Sequence, residues 1–341
     1  MGKYDKYICT TLEKIELQPG PTKDEKIMLA KEGLRIRLEH VLWLDADVLH
    51  GGYYGESAWI WPNNFPNQIS QEELERRTTP GPPMFPHYHE YPELLAWWGS
   101  NPEDPHDTTT MGMVMGDEEI LLESSWVGYI PAKMYHMPTR PNGGKVTDKP
   151  VFHWTAGPGM YTRNKDDDPS EQEKGAHIPI VGKPKKKTQE NRKYFIMGGD
   201  QPQRPVKIDY MTEIDPKYWR HLAYIDDTII PGCEYGCDTM CLLPGNPSKS
   251  GVRIMERHTL PYGANITLIS MNYDNITDLC AEAELWIGGE KHIIKKNFGA
   301  YIPPGVEQGP LIVRNMEKQL FFSICNPVGE GIKKFPGGAA A

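Results

Sequence analysis

The sequence predicts an all-β protein built from two copies of one barrel or jelly-roll unit. Three observations carry this. The first is an internal repeat. HVLWLDADVLHGGYYG from His40 aligns without a gap with HLAYIDDTIIPGCEYG from His221, at an offset of 181 residues. His40 then matches His221, Asp45 matches Asp226, Gly51 matches Gly232 and Tyr54 matches Tyr235. Further on, GDEEILL (116–122) matches GGEKHII (288–294), and VGYIPAKMYHMP (127–138) matches GAYIPPGVEQGP (299–310). One unit has been used twice, and two copies are too few for a solenoid. The second observation is that apolar runs are short and bounded by turns. VLWL, YGESAWIW, ELLAWW, MGMVMG, WVGYIP and PVFHWTAG read as strands, with MGDEE and IGGEK as hairpin turns. The third is the abundance of turn formers, 33 glycines and 31 prolines in 341 residues, which suits many strands better than long helices.

Helical signals are confined to DEKIMLAKEGLRIR (24–37), with Asp24 expected as its cap, and SQEELERR (70–77). The chain divides into an N-terminal arm (1–34), a first barrel (35–160), a charged linker (161–204), a second barrel (205–335) and a short tail (336–341). The linker is rich in charge, Pro and Gly. Its KPKKK run (183–187) sits near the acidic Asp166–Asp168, so it reads as solvated chain rather than a nucleic-acid patch.

A net charge of −9 argues against a nucleic-acid surface. No apolar stretch approaches the roughly 20 residues that span a bilayer. The N-terminus lacks an apolar signal-peptide core, so a cytoplasmic protein is expected. Cys233, Cys237 and Cys241 are spaced too widely for a zinc knuckle and read as reduced, partly buried thiols on one strand.

The chemistry lies in PGPPMFPHYHEYPELLAWWG (80–99). His87 and His89 are two apart, so on a strand both imidazoles point to one face. Glu93 keeps the same parity, and His136 follows turn residues in GYIPAKMYHMP. Three imidazoles and one carboxylate suit Mn, Fe, Co, Ni, Cu or Zn rather than a hard cation caged in oxygens. Such a set leaves exchangeable positions on an octahedral ion.

These residues resemble the cupin superfamily. Its first motif, G(x)5HxH(x)3–4E(x)6G, is met by Gly81, His87, His89, Glu93 and Gly99, one residue short before the last glycine. Its second, G(x)5PxG(x)2H(x)3N, is met in compressed form by Gly128, Pro131 and His136. The resemblance covers about 35–160 and, more weakly, 205–328. It implies a double-barrel protein holding one divalent transition ion per chain, with Mn, Fe or Zn foremost, on His87, His89, Glu93 and His136. The second copy keeps His258 at the place of His87, but Leu260, Ala264 and Gln308 replace His89, Glu93 and His136. Its site is therefore expected to be lost.

Around the ligands, Tyr88, Tyr91, Trp98 and Trp126 are candidate walls for a planar substrate, with core packing as the plain alternative for the tryptophans. GSNPEDPHDTTT (99–110) is a candidate lid or a surface loop. Besides Glu93, the candidate proton-transfer groups are Tyr135, His106, His153 and Lys133. The resemblance implies a range of activities that includes oxalate decarboxylases, flavonol and gentisate dioxygenases, isomerases and hydrolases. The preferred expectation is a lyase or hydrolase that chelates a small oxygen-rich substrate, cyclic, phenolic or β-dicarbonyl, and cleaves it without oxidation. A ring- or C–C-cleaving dioxygenase and a non-catalytic ligand-binding protein are the alternatives. The expected partners are a small molecule and further copies of the chain, not nucleic acid or membrane.

Overall fold

The computed structural model describes residues 2–18, 20–79, 87–139, 144–159, 189–245 and 250–337. After β1 (Ile8–Cys9), the first copy supplies β2 (Leu38–Leu44), β3 (Tyr54–Ile60), β4 (Glu93–Gly99), β5 (Met111–Met115), β6 (Glu118–Leu122), β7 (Trp126–Ile130), β8 (His136–Thr139) and β9 (Val151–Gly157). A short β10 (Phe195–Met197) follows. The second copy supplies β11 (Trp219–Ile225), β12 (Tyr235–Leu242), β13 (Val252–Met255), β14 (His258–Thr259), β15 (Ala264–Ser270), β16 (Asp278–Ile287), β17 (Glu290–Lys296), β18 (Phe298–Ile302), β19 (Glu307–Arg314) and β20 (Leu320–Pro327). The fold is all-β, as expected.

The duplication is written in the strand order. The larger sheet of the first copy runs β10-β7-β4-β9-β3-β2, and that of the second runs β1-β18-β15-β20-β12-β11. The smaller sheets are β6-β5-β8 and β17-β16-β19-β13. Even an irregularity repeats: the register slips between His40 and Leu42 on β2 and between His221 and Ala223 on β11. The two expected hairpin turns are present. Gly116 at φ +58 and Gly288 and Gly289 at φ +58 and +82 take left-handed backbone that a side chain disfavours. The edge strands come from the connecting segments. β1, in the N-terminal arm, pairs with β18 of the second copy. β10, inside the segment expected to be linker, pairs with β7 of the first. KPKKK and Asp166–Asp168 lie outside the described residues.

Two helices match their sequence signals with one correction. α1 (Lys23–Lys31) is capped by Thr22 rather than Asp24, in a reciprocal capping box with Glu25. It stops where Gly33 turns left-handed. α2 (Gln71–Arg77) is capped by Ser70. Among the described residues no helix is long and apolar enough to cross a membrane.

Strand alternation sorts the large side chains into three cores, one between the copies and one inside each. Trp59, Trp61, Trp98, Phe152 and Trp154 of the first copy share a buried cluster with Tyr235, Cys237, Phe321 and Cys325 of the second. The Phe152 and Phe321 rings are 4.8 Å apart there. The larger sheets thus pack against each other through their outer faces. Their inner faces meet the smaller sheets. In the first copy Leu95, Trp97, Trp126 and Val151 pack on Met111, Met113, Met115 and Ile120. Cys237 and Cys241 lie on β12, while Cys233 precedes it in the turn; all three are buried free thiols.

Candidate metal centre

His87 and His136 sit opposite each other in an antiparallel bridge. The His87 amide donates to the His136 carbonyl (3.1 Å) and the His136 amide to the His87 carbonyl (2.9 Å). His89, two residues on, projects to the same side and is held by the Lys133 amide, which donates to its carbonyl (2.7 Å). A bend at 90–92 then brings the chain into β4, whose first residue is Glu93. Three short segments therefore converge on one end of the inner face.

The nitrogens that His87, His89 and His136 offer all lie within 4.8 Å of one another. The Glu93 carboxylate reaches two of them, 2.9 Å from His136 Nε2 and 3.6 Å from His89 Nε2. His136 Nδ1 donates to the Met134 carbonyl (2.9 Å), which turns Nε2 inward. The His89 ring lies flat on Tyr91, 5.1 Å between centroids and 12° between planes. Tyr91 in turn needs glycine behind it: a Cβ on Gly159 would come within 2.1 Å of its ring. His89, Glu93 and His136 are buried, and His87 is half-buried.

Burial pushes the His89 imidazole below its usual range, towards the neutral form that ligates a cation. Burial pushes the Glu93 carboxyl up, but the neighbouring His89, His136 and His87 outweigh it and hold the carboxyl below its usual range. The donor set fits a divalent transition ion: three imidazoles within 4.8 Å of one another and a carboxylate beside two of them.

The second copy repeats the frame without the donors. His258 and Gln308 form the same cross-strand pair as His87 and His136. Ala264 faces Ile302 where Glu93 faces Ile130. Leu260 packs into the aliphatic core.

The other expected site residues separate into three groups. Tyr91 stacks on the cluster, whereas His153 faces Trp97, four residues along β4 from Glu93. Tyr88, Tyr135 and Lys133 are not at the cluster: Tyr88 and Tyr135 have the opposite parity to His87 and His136 and pack edge-on with each other (5.0 Å). Lys133 pairs with Glu90 at the surface (2.9 Å). The expected roles of Trp98, Trp126 and His106 are corrected by position. Trp98 lies on the outer face, in the core between the copies. Trp126 is on the inner face but pairs with Trp97, four residues from Glu93 along β4, about 13 Å. His106 is on the loop that leaves β4 after Gly99, at the end away from Glu93, so that loop is no lid over the cluster. Its Pro105 carbonyl is tied to the Ser125 amide (2.7 Å) and the His106 carbonyl to Lys145 Nζ (2.9 Å).

A second polar group was not anticipated. His40 Nε2 lies 2.5 Å from Glu56 Oε1, and the Tyr54 hydroxyl donates to Glu56 Oε2 (2.7 Å). Glu56 faces Thr155 across β3 and β9, and His153 is the next inward residue of β9, its Nδ1 3.2 Å from the Ala96 carbonyl. The signal was available: Glu56 is an acid among the apolar residues of YGESAWIW, and His40 opens the repeat.

No family model matches the chain, and no curated protein matches it. Several solved structures resemble it. An oxalate decarboxylase matches at 11% identity over 88% of this chain and 73% of its own, with a TM-score of 0.44. AerE from Microcystis aeruginosa matches at 10% identity over 82% of this chain and 88% of its own, with a TM-score of 0.41. The Bacillus subtilis oxalate decarboxylase studied for its Mn(II) centres matches at 12% identity over 87% and 73%, with a TM-score of 0.42. At these identities and scores the likenesses bear on neither reaction nor ligand, which rest on this chain's own residues.

Proposed function

We propose that the chain is a metal-dependent enzyme with one divalent transition ion, Mn, Fe or Zn, held by His87, His89, Glu93 and His136. The single observation that carries this is the convergence of three imidazoles, within 4.8 Å of one another, beside a buried carboxylate. A divalent ion bound there would supply Lewis acidity to a chelated pair of substrate oxygens. The chain's own residues do the rest. The Tyr91 ring and the His87–His136 bridge fix the imidazole directions. Glu93, 2.9 Å from one imidazole and 3.6 Å from another, is placed to take a proton from a group bound beside them.

A carboxylate that can move a proton, beside a site for oxygen-rich substrates, supports a lyase or hydrolase that cleaves an enolisable or phenolic compound without oxidation. The test is elemental analysis of the purified protein, then a screen for loss of β-dicarbonyl and phenolic compounds with and without oxygen. Turnover that persists under strict anaerobiosis is expected. Turnover proportional to dissolved oxygen would replace the lyase or hydrolase reading with a dioxygenase.

A further inference from the structure

The inner faces of the two copies differ below the metal centre. In the second copy the positions of Ala58, His153 and Thr155 are taken by Met240, Phe322 and Ile324, as the matching strand registers show. These fill the interior with apolar volume, and Asp238, at the place of Glu56, is neutralised by Arg204 (2.8 Å). In the first copy the same places carry smaller or polar side chains. Glu56 and His153 stay half-buried there although they sit on mid-sheet strands, with the Glu56 side chain 11% exposed. Mid-sheet residues facing inward keep contact with solvent only if the interior is open. Thr155 Oγ1, beside Glu56 across β9 and β3, is buried and lacks a hydrogen-bond partner among the described residues. A buried polar atom left unpaired costs about 1–3 kcal/mol, so a substrate hydroxyl that reached Thr155 would gain a bond the protein leaves unmade.

The register sets the reach. Leu95, Thr155 and Glu56 form one row across β4, β9 and β3, and Glu93 is two residues above Leu95. Glu56 is therefore about 10 Å across and about 7 Å along the sheet from Glu93, measured between backbones. The described hydrogen-bond partners of Glu56 are His40 and the Tyr54 hydroxyl, with no lysine or arginine among them. Glu56 offers an ionised oxygen pair with acceptor capacity beyond His40 and Tyr54.

We propose that Glu56 is the specificity residue of the first copy: it selects a neutral planar substrate carrying a hydroxyl remote from the chelating oxygens, and rejects one with a remote carboxylate. This rests on the reading that the three histidines and Glu93 hold a divalent ion. Thr155 donates or accepts at the same remote group, and His153 walls it. A remote hydroxyl donates to Glu56, whereas a remote carboxylate meets like charge in a desolvated space.

The test uses three probes with one chelating head: catechol, 1,2,4-trihydroxybenzene and 3,4-dihydroxybenzoate. Each is titrated anaerobically by calorimetry into the metal-loaded protein, with metal content measured on the same samples. The trihydroxy probe is expected to bind about tenfold tighter than catechol, and the benzoate about tenfold weaker. Glu56→Gln should bring the benzoate up to the level of catechol. Thr155→Val removes a hydroxyl with no partner among the described residues, so the fold is kept, and it should cut the advantage of the trihydroxy probe over catechol several-fold. Equal binding of all three probes to protein that holds its ion overturns this proposal and leaves the metal centre standing. Protein that takes up no ion and binds no probe overturns both.

Discussion

His87 and His136 exchange a pair of backbone hydrogen bonds, and His258 and Gln308 occupy the same two positions in the second copy. The bridge is a property of the duplicated fold. The imidazoles on it are a property of the first copy alone. Backbone geometry and ligand set can thus be separated by substitution.

Metal content should follow the first copy. The wild type is expected to hold about one ion per chain. His136→Ala should lower its affinity by at least the roughly 10–100-fold that loss of an outer hydrogen-bond partner costs at a metal site. His258→Ala should leave the content unchanged. Plasma emission analysis of dialysed protein decides it; two ions per chain, or full content in His136→Ala, refutes the assignment.

The repeat and the HxH spacing were legible because both are short-range patterns carried by strand parity. The gap-free match held at His40 and His221 but slipped by one after the following loop: the strand registers place Gly236, not Tyr235, at the position of Tyr54. Trp98, His106 and Tyr135 were misplaced for one shared reason. Nearness in sequence to a ligand says nothing about face or end of a strand. Trp98 differs from Trp97 by one residue and so lies across the sheet. His106 follows β4 out at its far end. The Glu56 cluster was missed because its members come from β2, β3 and β9, whose neighbourhood only the sheet order β9-β3-β2 creates.

Glu93→Gln separates holding the ion from moving a proton. The amide keeps the shape and one ligating oxygen but has no basicity. If Glu93 serves only as ligand, ion and turnover fall together. We expect the ion to be retained in part and turnover to fall further than metal content does, with substrate binding largely kept. Parallel loss of both in proportion would remove Glu93 from proton transfer.

Residues outside the cluster should be silent in a defined way. His106→Ala is expected to leave metal content unchanged and stability within about 0.5 kcal/mol, since the side chain is exposed at the far end of β4. Loss of metal in this variant would show that the 99–110 loop reaches the centre.

Trp98→Ala should act through packing. Its ring is 3% exposed and belongs to the core shared by the two copies. Truncation is expected to cost about 3–5 kcal/mol, read by urea denaturation, while the protein that remains folded keeps its ion. A variant of normal stability that no longer binds substrate would return Trp98 to the pocket.

Acid should weaken the first copy through Glu56. Burial pushes its carboxyl up, but His40, His153 and the Tyr54 hydroxyl together outweigh it and bring it from the usual 4.5 down to about 2. Between those values the unfolded chain binds a proton that the native state refuses. The ionised carboxylate therefore stabilises the fold fully above about pH 4.5, and this contribution is lost as pH falls through about 2. The full contribution is on the order of 3 kcal/mol, from about 1.4 kcal/mol per unit. His153 acts in the same direction at higher pH, since burial disfavours its protonation in the native state. Glu56→Gln isolates the carboxylate. Urea unfolding of wild type and variant at pH 7 and pH 3 should show a stability gap that narrows towards acid. A gap of equal size at both values would mean that the Glu56 charge contributes nothing and that only its shape matters.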